Sequence, residues 1–370
     1  LIEIRTVSSP KDLDAFIALP NRIQKSDLAY IAPLAMERRE ALSPKHNPFF
    51  RHSDVRFLTA WRDGRMVGRI SAQVDRRVQG TGHFGLLSAE NDPAIFTALF
   101  RAAEDWLRAM GRTHVLGPFD LSINEEIGTL VDGFDTPPML LMPHNPRWQP
   151  SRIEEQGYAK AKDVYAYLFN APTDTPAWAE RLVGRQARRG VVLRQLEWKR
   201  YDEELAAIVS IFNDAWSENW NFLPLDNLDL EALAKSLKPL IRSELVQIVE
   251  VDGKAAGFGV CLPNLNEAIR DLDGSLLPLG WAKLLWRLKV TGTKTSRVPL
   301  MGVRKRYART PLGGVLPLMI MNALGRESVK LGMDRIEMSW VLEDNRAMRH
   351  LCETMAGPPY KSYRVYEKSL

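Results

Sequence analysis

The sequence predicts an α/β protein that contains one fold twice. Three observations lead there. An Asp-Gly turn between two strand-like runs occurs at Asp63-Gly64 and again at Asp252-Gly253, and a further Gly (Gly68, Gly257) follows four residues on, all at a constant offset of 189 residues. A segment with helical spacing, closed by a Gly and followed by a short strand, also occurs twice. Each half then ends in a Gly followed by a Tyr-rich strand.

In the first half, Val55 to Asp63 alternates and is rich in Val, Phe and Trp, and Met66 to Val74 resumes the pattern after the turn. Asp-Gly between such runs is a strong hairpin signal. Pro93 to Met110 carries Phe96, Leu99, Phe100, Ala103, Trp106 and Leu107 at helical spacing before Gly111, a C-terminal stop. His114 to Leu116 is the strand after it, and Gly157-Tyr158 leads to the strand Val164 to Tyr167. In the second half, Leu245 to Val251 and Ala255 to Leu262 form the hairpin, Gly314 to Leu331 the helix before Gly332, and Ile336 to Trp340 the next strand. Gly357 and the strand 360–367 close it. The order is α/β. The turn-rich run Asn170 to Pro176 separates the halves, giving domains of residues 1–175 and 185–370, and Val191 to Leu196 begins the second.

At about 150 residues per domain, 370 residues also suggest two domains. The two cysteines, Cys261 and Cys352, exclude a disulfide framework and a cysteine zinc site. No apolar run reaches the roughly 18 residues of a membrane span, and Leu1 to Val7 does not read as a signal peptide, so a cytoplasmic location is expected. The net charge of +5 suits an anionic partner: coenzyme A, nucleic acid or an acidic membrane surface. The six histidines show no metal spacing, and no nucleophile elbow is present. No metal and no covalent enzyme intermediate are therefore expected.

The strongest chemical motif follows the strand Leu300 to Val303. Arg304-Lys305-Arg306-Tyr307-Ala308-Arg309 precedes Thr310-Pro311-Leu312-Gly313-Gly314, which opens a helix. A strand, a basic Gly-containing loop and a helix start make an anion site, because free N–H groups and the helix dipole favour phosphate. Read alone, the same motif is also a solvated basic loop that caps a helix.

In order and motifs the chain resembles the general N-acetyltransferase (GNAT) superfamily. The resemblance covers residues 245–368 well and 54–168 more weakly. It implies two tandem GNAT-like domains, each a mixed, mostly antiparallel sheet flanked by helices. It also implies an acyl-coenzyme A donor, held by Val303, Arg304, Arg306, Arg309, Gly313 and Gly314 in the C-terminal half. The N-terminal half has no basic loop at the matching place, so it is expected to have lost cofactor binding and to shape the substrate site. Glu343, at the end of a strand that lies beside the thioester in this fold, is expected to act as base. Asn345 and Cys352 complete the catalytic set, with Cys352 where many relatives carry a general-acid Tyr. The loop also departs from the family pattern, with Ala308 and Pro311 at its first position and first Gly.

Substrate contacts are expected from Asn124, Glu125 and His144 in the first half and from Trp216, Asn219 and Trp220 after the helix 201–219. Each group also reads as capping, turn or core chemistry. The segment 276–290 is short, apolar and basic, with Trp281 and Trp286. It is expected to border a substrate tunnel and to touch a membrane surface. The whole chain resembles a bacterial group of tandem GNAT-like proteins that includes ceramide synthases, which implies a long-chain lipid amine as acceptor. Two other readings stay open. One is a Fem-like transferase using aminoacyl-tRNA, although the basic residues gather at 304–309 and 185–200, which argues against a nucleic-acid partner. The other is a non-catalytic acyl-coenzyme A-binding module.

Overall fold

A computed structural model describes residues 1–171, 181, 184–185 and 190–370. Most of the expected linker, including Pro172 to Pro176, lies outside the described residues. The strands are β1 (Glu3–Thr6), β2 (Ser53–Arg62), β3 (Arg65–Asp75), β4 (Thr81–Ala89), β5 (His114–Gly117), β6 (Thr129–Asp132), β7 (Ala159–Asn170), β8 (Val191–Gln195), β9 (Val246–Val251), β10 (Lys254–Pro263), β11 (Thr295–Val303), β12 (Arg335–Leu342) and β13 (Lys361–Ser369). All belong to one sheet in the order β1-β2-β3-β4-β5-β13-β7-β12-β11-β10-β9-β8, with β6 also paired to β13.

Both Asp-Gly hairpins form. Asp63 and Gly64 have φ of 50° and 76°, and Asp252 and Gly253 have 52° and 72°. Two positive φ values in succession define the two-residue turn that matches strand twist. Each return strand then carries one extra residue, Val67 in β3 and Ala256 in β10, again 189 apart. The repeat therefore extends to irregularities that the hydrophobic pattern does not dictate.

The helix Pro93–Ala109 starts where the Asp92 side chain accepts from the Ala94 N–H and Pro93 needs no donor. It buries Ile95, Phe96, Leu99, Phe100, Ala103 and Leu107 against β2 to β4. Its counterpart Leu312–Lys330 buries Leu316, Met319, Ile320 and Leu324 in a core shared with Val298, Met338 and the helix Arg346–Ala356. On the opposite sheet face the helix Tyr201–Trp216 packs Ile211 and Phe212 on Phe258, Val260 and Leu262.

The last strands of the two halves are exchanged. β13 lies antiparallel to β5 and β6 on one edge and to β7 on the other. β7 in turn pairs with β12, from Arg335 opposite Asn170 to Leu342 opposite Val164. So the strand after Gly357 completes the first half, and the strand after Gly157 completes the second. Tyr363, Val365 and Tyr366 of β13 are fully buried. Polar ties fix it in the first half: Tyr366 Oη donates to Glu154 at 3.0 Å, and Lys361 Nζ donates to the Gly133 and Thr136 carbonyls at 2.9 and 2.6 Å.

Residues 1–175 produced alone would lack β13 and expose edges of both β5 and β7. We expect this fragment to be insoluble or largely unfolded by circular dichroism, and co-production with residues 185–370 to restore a soluble complex. A stable, cooperatively melting isolated fragment would contradict the exchange.

Candidate active site

β11 and β12 run parallel and pair only from Thr295 with Arg335 to Val298 with Met338. Beyond that point β11 follows β10 and β12 follows β7. At the parting, Val298 and Pro299 together stand opposite Cys261, and Pro299 has no N–H for either neighbour. A bulge at a Pro ends a ladder for a plain steric and hydrogen-bonding reason. The result is a wedge between Leu300–Met301 and Ser339–Trp340. Trp216 and Trp340 meet across it with ring centroids 5.7 Å apart, and the Trp216 indole donates to the Met301 carbonyl at 3.3 Å.

The first half repeats the parting. β4 and β5 pair in parallel only over Thr81–His83 and His114–Leu116, and β4 bulges at Leu86. Here the gap is filled by the chain itself. The Phe119 N–H donates to the Phe84 carbonyl at 2.8 Å, and the Leu86 N–H donates to Asp120 Oδ1 at 3.0 Å. A Cβ on Gly85 would lie 1.7 Å from the Phe119 oxygen, so glycine is required there.

The filling segment continues as the loop 119–127, pinched by a bridge between Phe119 and Ile127. Its tip reaches the second half: Asn124 Nδ2 donates to the Leu223 carbonyl at 3.3 Å, and Ile123 packs in one cluster with Trp220, Leu223 and Trp340. Glu125 is half-buried and accepts from Asn47 Nδ2 at 3.3 Å. Glu126 lies 3.6 Å from the Arg38 guanidinium, which also pairs with Glu37 at 2.8 Å. Burial pushes the Glu125 carboxyl up to about 8, against the opposing pull of Asn47 and Arg38. Burial also raises Glu126 and Asp120, which crowd the same space.

On the other side, Arg297 of β11 is 3% exposed and Glu337 of β12 is fully buried. Arg297 Nε donates to Ser339 Oγ at 2.7 Å, and its Nη1 reaches the Leu140 and Leu141 carbonyls at 2.8 and 3.2 Å. The Ser339 and Tyr360 hydroxyls both donate to Glu337. Arg297 and Glu126 are close enough to feel each other's charge. One buried polar cluster thus spans both halves beneath the wedge.

The basic loop is more differentiated than its sequence implies. Arg304 is tied down, with Nε donating to the Ala255 carbonyl and Nη2 to Ser210 Oγ, both at 3.0 Å. The Lys305 N–H donates to Asp214 at 2.9 Å, and its side chain pairs with Glu218 at 2.7 Å. Arg306 and Arg309 are exposed, Gly314 is open, and Gly313 sits against the Ala308 carbonyl. At the start of the helix from Leu312, Thr310 Oγ1 accepts the Leu312 N–H at 3.2 Å. Val303 ends β11 opposite Gly257.

Other sequence candidates are placed as follows. Glu343 pairs with Lys160 at 2.6 Å and accepts the Asp163 N–H at 3.2 Å, joining β7 to the end of β12. Asn345 caps the helix Arg346–Ala356 by accepting the Met348 N–H at 3.2 Å. Cys352 is fully buried in the core, where burial pushes its thiol up to about 12. Asn219 lies in the turn that follows Trp216, and Trp220 faces Lys162 at 5.7 Å. His144 pairs with Asp27 at 2.9 Å, near Tyr30. Trp281 is exposed. Asn124, Trp216 and Trp220 therefore gather at the wedge, and Glu125 follows Asn124 in the loop that reaches it. Arg38, Asn47, Asp120, Glu126, Arg297, Glu337 and Tyr360 are additions from the structure. For Glu126 the available signal was its place beside Glu125, between Ile123 and Ile127.

Arg297 Nε also lies 3.6 Å from Glu337, so replacing Arg297 by Met would remove the ion-pair partner of that buried carboxylate. Breaking a buried pair from one side costs about 3–5 kcal/mol. We expect urea denaturation of Arg297→Met to show a loss in that range, and of the Arg297→Met, Glu337→Leu double variant a clearly smaller one.

No protein-family model matches the sequence. The chain is 55% identical over 375 residues to the bacterial ceramide synthase of Caulobacter vibrioides, covering 100% of this chain and 98% of that protein. It is 43% identical over 372 residues to protein YghO of Escherichia coli, covering 99% and 95%. Among solved structures, a tandem GNAT protein from the clavulanic acid pathway superposes with TM-score 0.59 at 12% identity, covering 100% and 98%. A GCN5-related N-acetyltransferase from Sphaerobacter thermophilus superposes with TM-score 0.57 at 13% identity, covering 100% and 95%. At 55% identity over its full length the chain belongs to the acyltransferase family of the bacterial ceramide synthase, and its fold is that of tandem GNAT proteins.

Proposed function

We propose that this N-acyltransferase joins a long-chain acyl group, carried by coenzyme A, to a lipid amine of the sphingoid-base type. The observation that carries the reading is the wedge in the C-terminal half, walled by Trp216 and Trp340, with the loop 119–127 of the N-terminal half, which carries the half-buried Glu125 and Glu126, packed against it. A thioester lying in the wedge meets an amine arriving on the carboxylate side. The β11 backbone beyond Val298 offers N–H groups to the oxygen of the tetrahedral intermediate. The relative's name, ceramide synthase, supports the lipid amine.

The loop 304–314 is assigned to the donor's phosphates. Arg306 and Arg309 supply charge, Thr310 takes the Leu312 and Gly313 N–H groups while the open turn at Gly314 leaves room for a phosphate, and Arg304 braces the loop on β10. Charge-assisted contacts are worth about 1.5–3 kcal/mol each. The Arg306→Ala, Arg309→Ala variant is expected to weaken acyl-coenzyme A binding by at least about 10-fold with unchanged melting. Equal affinity in calorimetry would remove the loop from the donor site.

Lipid access is assigned to the segment Leu277 to Val290. Leu277, Leu279, Trp281, Leu285, Trp286 and Val290 are all exposed. Trp281, Leu284, Leu285 and Leu288 recur at the spacing of one helix face. In the fold two i, i+4 pairs diverge: Leu284 and Leu288 pack inward, Trp281 and Leu285 outward. The inward pair anchors the segment, and the outward one, with exposed Lys289, suits a peripheral membrane contact. The Trp281→Asp, Leu285→Asp variant is expected to keep its fold and lose flotation on anionic vesicles.

The reading as a whole is tested by incubating the protein with a long-chain acyl-coenzyme A and sphinganine and detecting the amide by mass spectrometry. Thioester consumption without amide would overturn it.

A further inference from the structure

The buried cluster contains Asp120, Glu125, Glu126 and Glu337 but only Arg38, Arg69 and Arg297 as guanidinium partners. Arg69 spends its Nη1 on the Phe16 carbonyl at 2.6 Å, and Arg297 is held by Ser339 and by the carbonyls of Leu140 and Leu141. Lys361 adds a fourth cation on the Glu337 side, whereas on the loop side Asp120, Glu125 and Glu126 share Arg38 and Arg69, and Arg38 is also paired to Glu37. Glu125 is the least committed of the four, with one hydrogen bond from a neutral amide and a half-buried, reachable carboxylate. A second feature points to the same space. The hydroxyl of Tyr363 is fully buried without a hydrogen-bond partner, and the charges acting on it are Glu337, Arg297 and Glu126.

We propose that Glu125, from the N-terminal half, receives the ammonium of the acceptor and takes its proton as the catalytic base, for a thioester held in the C-terminal half. The inference rests on the N-acyltransferase reading above. The ammonium gives one proton to Glu125, and the freed nitrogen pair forms the C–N bond at the thioester carbonyl. The C–S bond breaks with its electron pair going to sulfur. The nitrogen loses a second proton, which neutralises the thiolate, and Glu125 returns its proton to solvent. One cation enters, and an amide, a thiol and one proton leave.

Glu125 faces Asn47 and Arg38, which favour its charged form, and Asp120 and Glu126, which oppose it; burial dominates and sets its value at about 8. Below that pH the group is protonated and can neither hold an ammonium nor accept a proton. kcat/KM should therefore fall as pH drops through about 8. It should fall again above about 10, where an alkyl ammonium deprotonates.

The test uses the full chain. Glu125→Gln is expected to lower kcat by roughly 10²–10⁴-fold, to abolish the acid limb near 8, and to leave melting and acyl-coenzyme A affinity unchanged. Glu125→Asp should restore part of the limb, and Glu343→Gln should keep it. Binding of sphinganine without donor, read by fluorescence at a pH above about 8 where Glu125 is ionised, should weaken at least about 10-fold in Glu125→Gln, because the neutral amide can still accept from the ammonium but no longer forms an ion pair with it. This readout stands even if wild type forms no amide, which would fault the wider reading instead. Unchanged sphinganine affinity in Glu125→Gln, or a wild-type rate and limb in that variant, would overturn the proposal.

Discussion

Everything else in the molecule depends on where β13 lies. One strand, fully buried at Tyr363, Val365 and Tyr366, satisfies β5, β6 and β7 together, while β7 satisfies β12. The backbone pairing that closes each half is thus supplied by the other. An unpaired buried edge would strand a row of N–H and C=O groups, each costly to bury alone. Neither half is complete without the exchange. It also places the loop 119–127 of one half against the wedge of the other, through Asn124 on Leu223 and Ile123 beside Trp340.

The two halves show what duplication permits. Both carry the hairpin, the extra residue in the return strand, the parallel join and the bulge. At the parting of the strands they differ. In one, Phe119 to Leu121 fill the gap and Asp120 takes the Leu86 N–H. In the other, Pro299 opens it and two tryptophans line it. A glycine at position 85 is what lets the filled version exist. The filled half is thereby free to project acids that an open half would have no room for. Those acids are expensive: charge in a low-dielectric interior is tolerated only with partners, and Arg38, Arg69 and Arg297 are those partners.

Much of this was legible in the sequence, and the limits are physical. Asp-Gly turns, Gly111 and Gly332 as helix stops, and the helical faces are local signals, and the elements fall within a few residues of where they point. The exchange is not local. Lys160 to Leu168 and Lys361 to Ser369 have similar alternation and similar Tyr content, so either suits either neighbour, and only packing decides. At the site, Asn124, Glu125, Trp216 and Trp220 were legible as polar or aromatic residues in turn contexts. Arg38 was not: within Ala-Met-Glu-Arg-Arg-Glu it reads as one face of a solvated helix, and only the fold turns it inward towards Glu126. Arg297 was equally hidden, a charge in the middle of an apolar strand.

The exchange also governs the order of events at the ribosome. β7 ends at Asn170 and β13 begins at Lys361. At about 5–20 residues per second, roughly 10–40 s of translation separate them. Throughout that interval the first half stands with β5 and β7 as open sheet edges. Two-sided, aromatic edges of this kind invite pairing with foreign strands. The charged residues spaced along β7, Lys160, Lys162 and Asp163, lie on the segment that waits. They later pair with Glu343, Asp344 and Arg364, so the same side chains that discourage wrong partners during synthesis mark the right ones once β12 and β13 arrive.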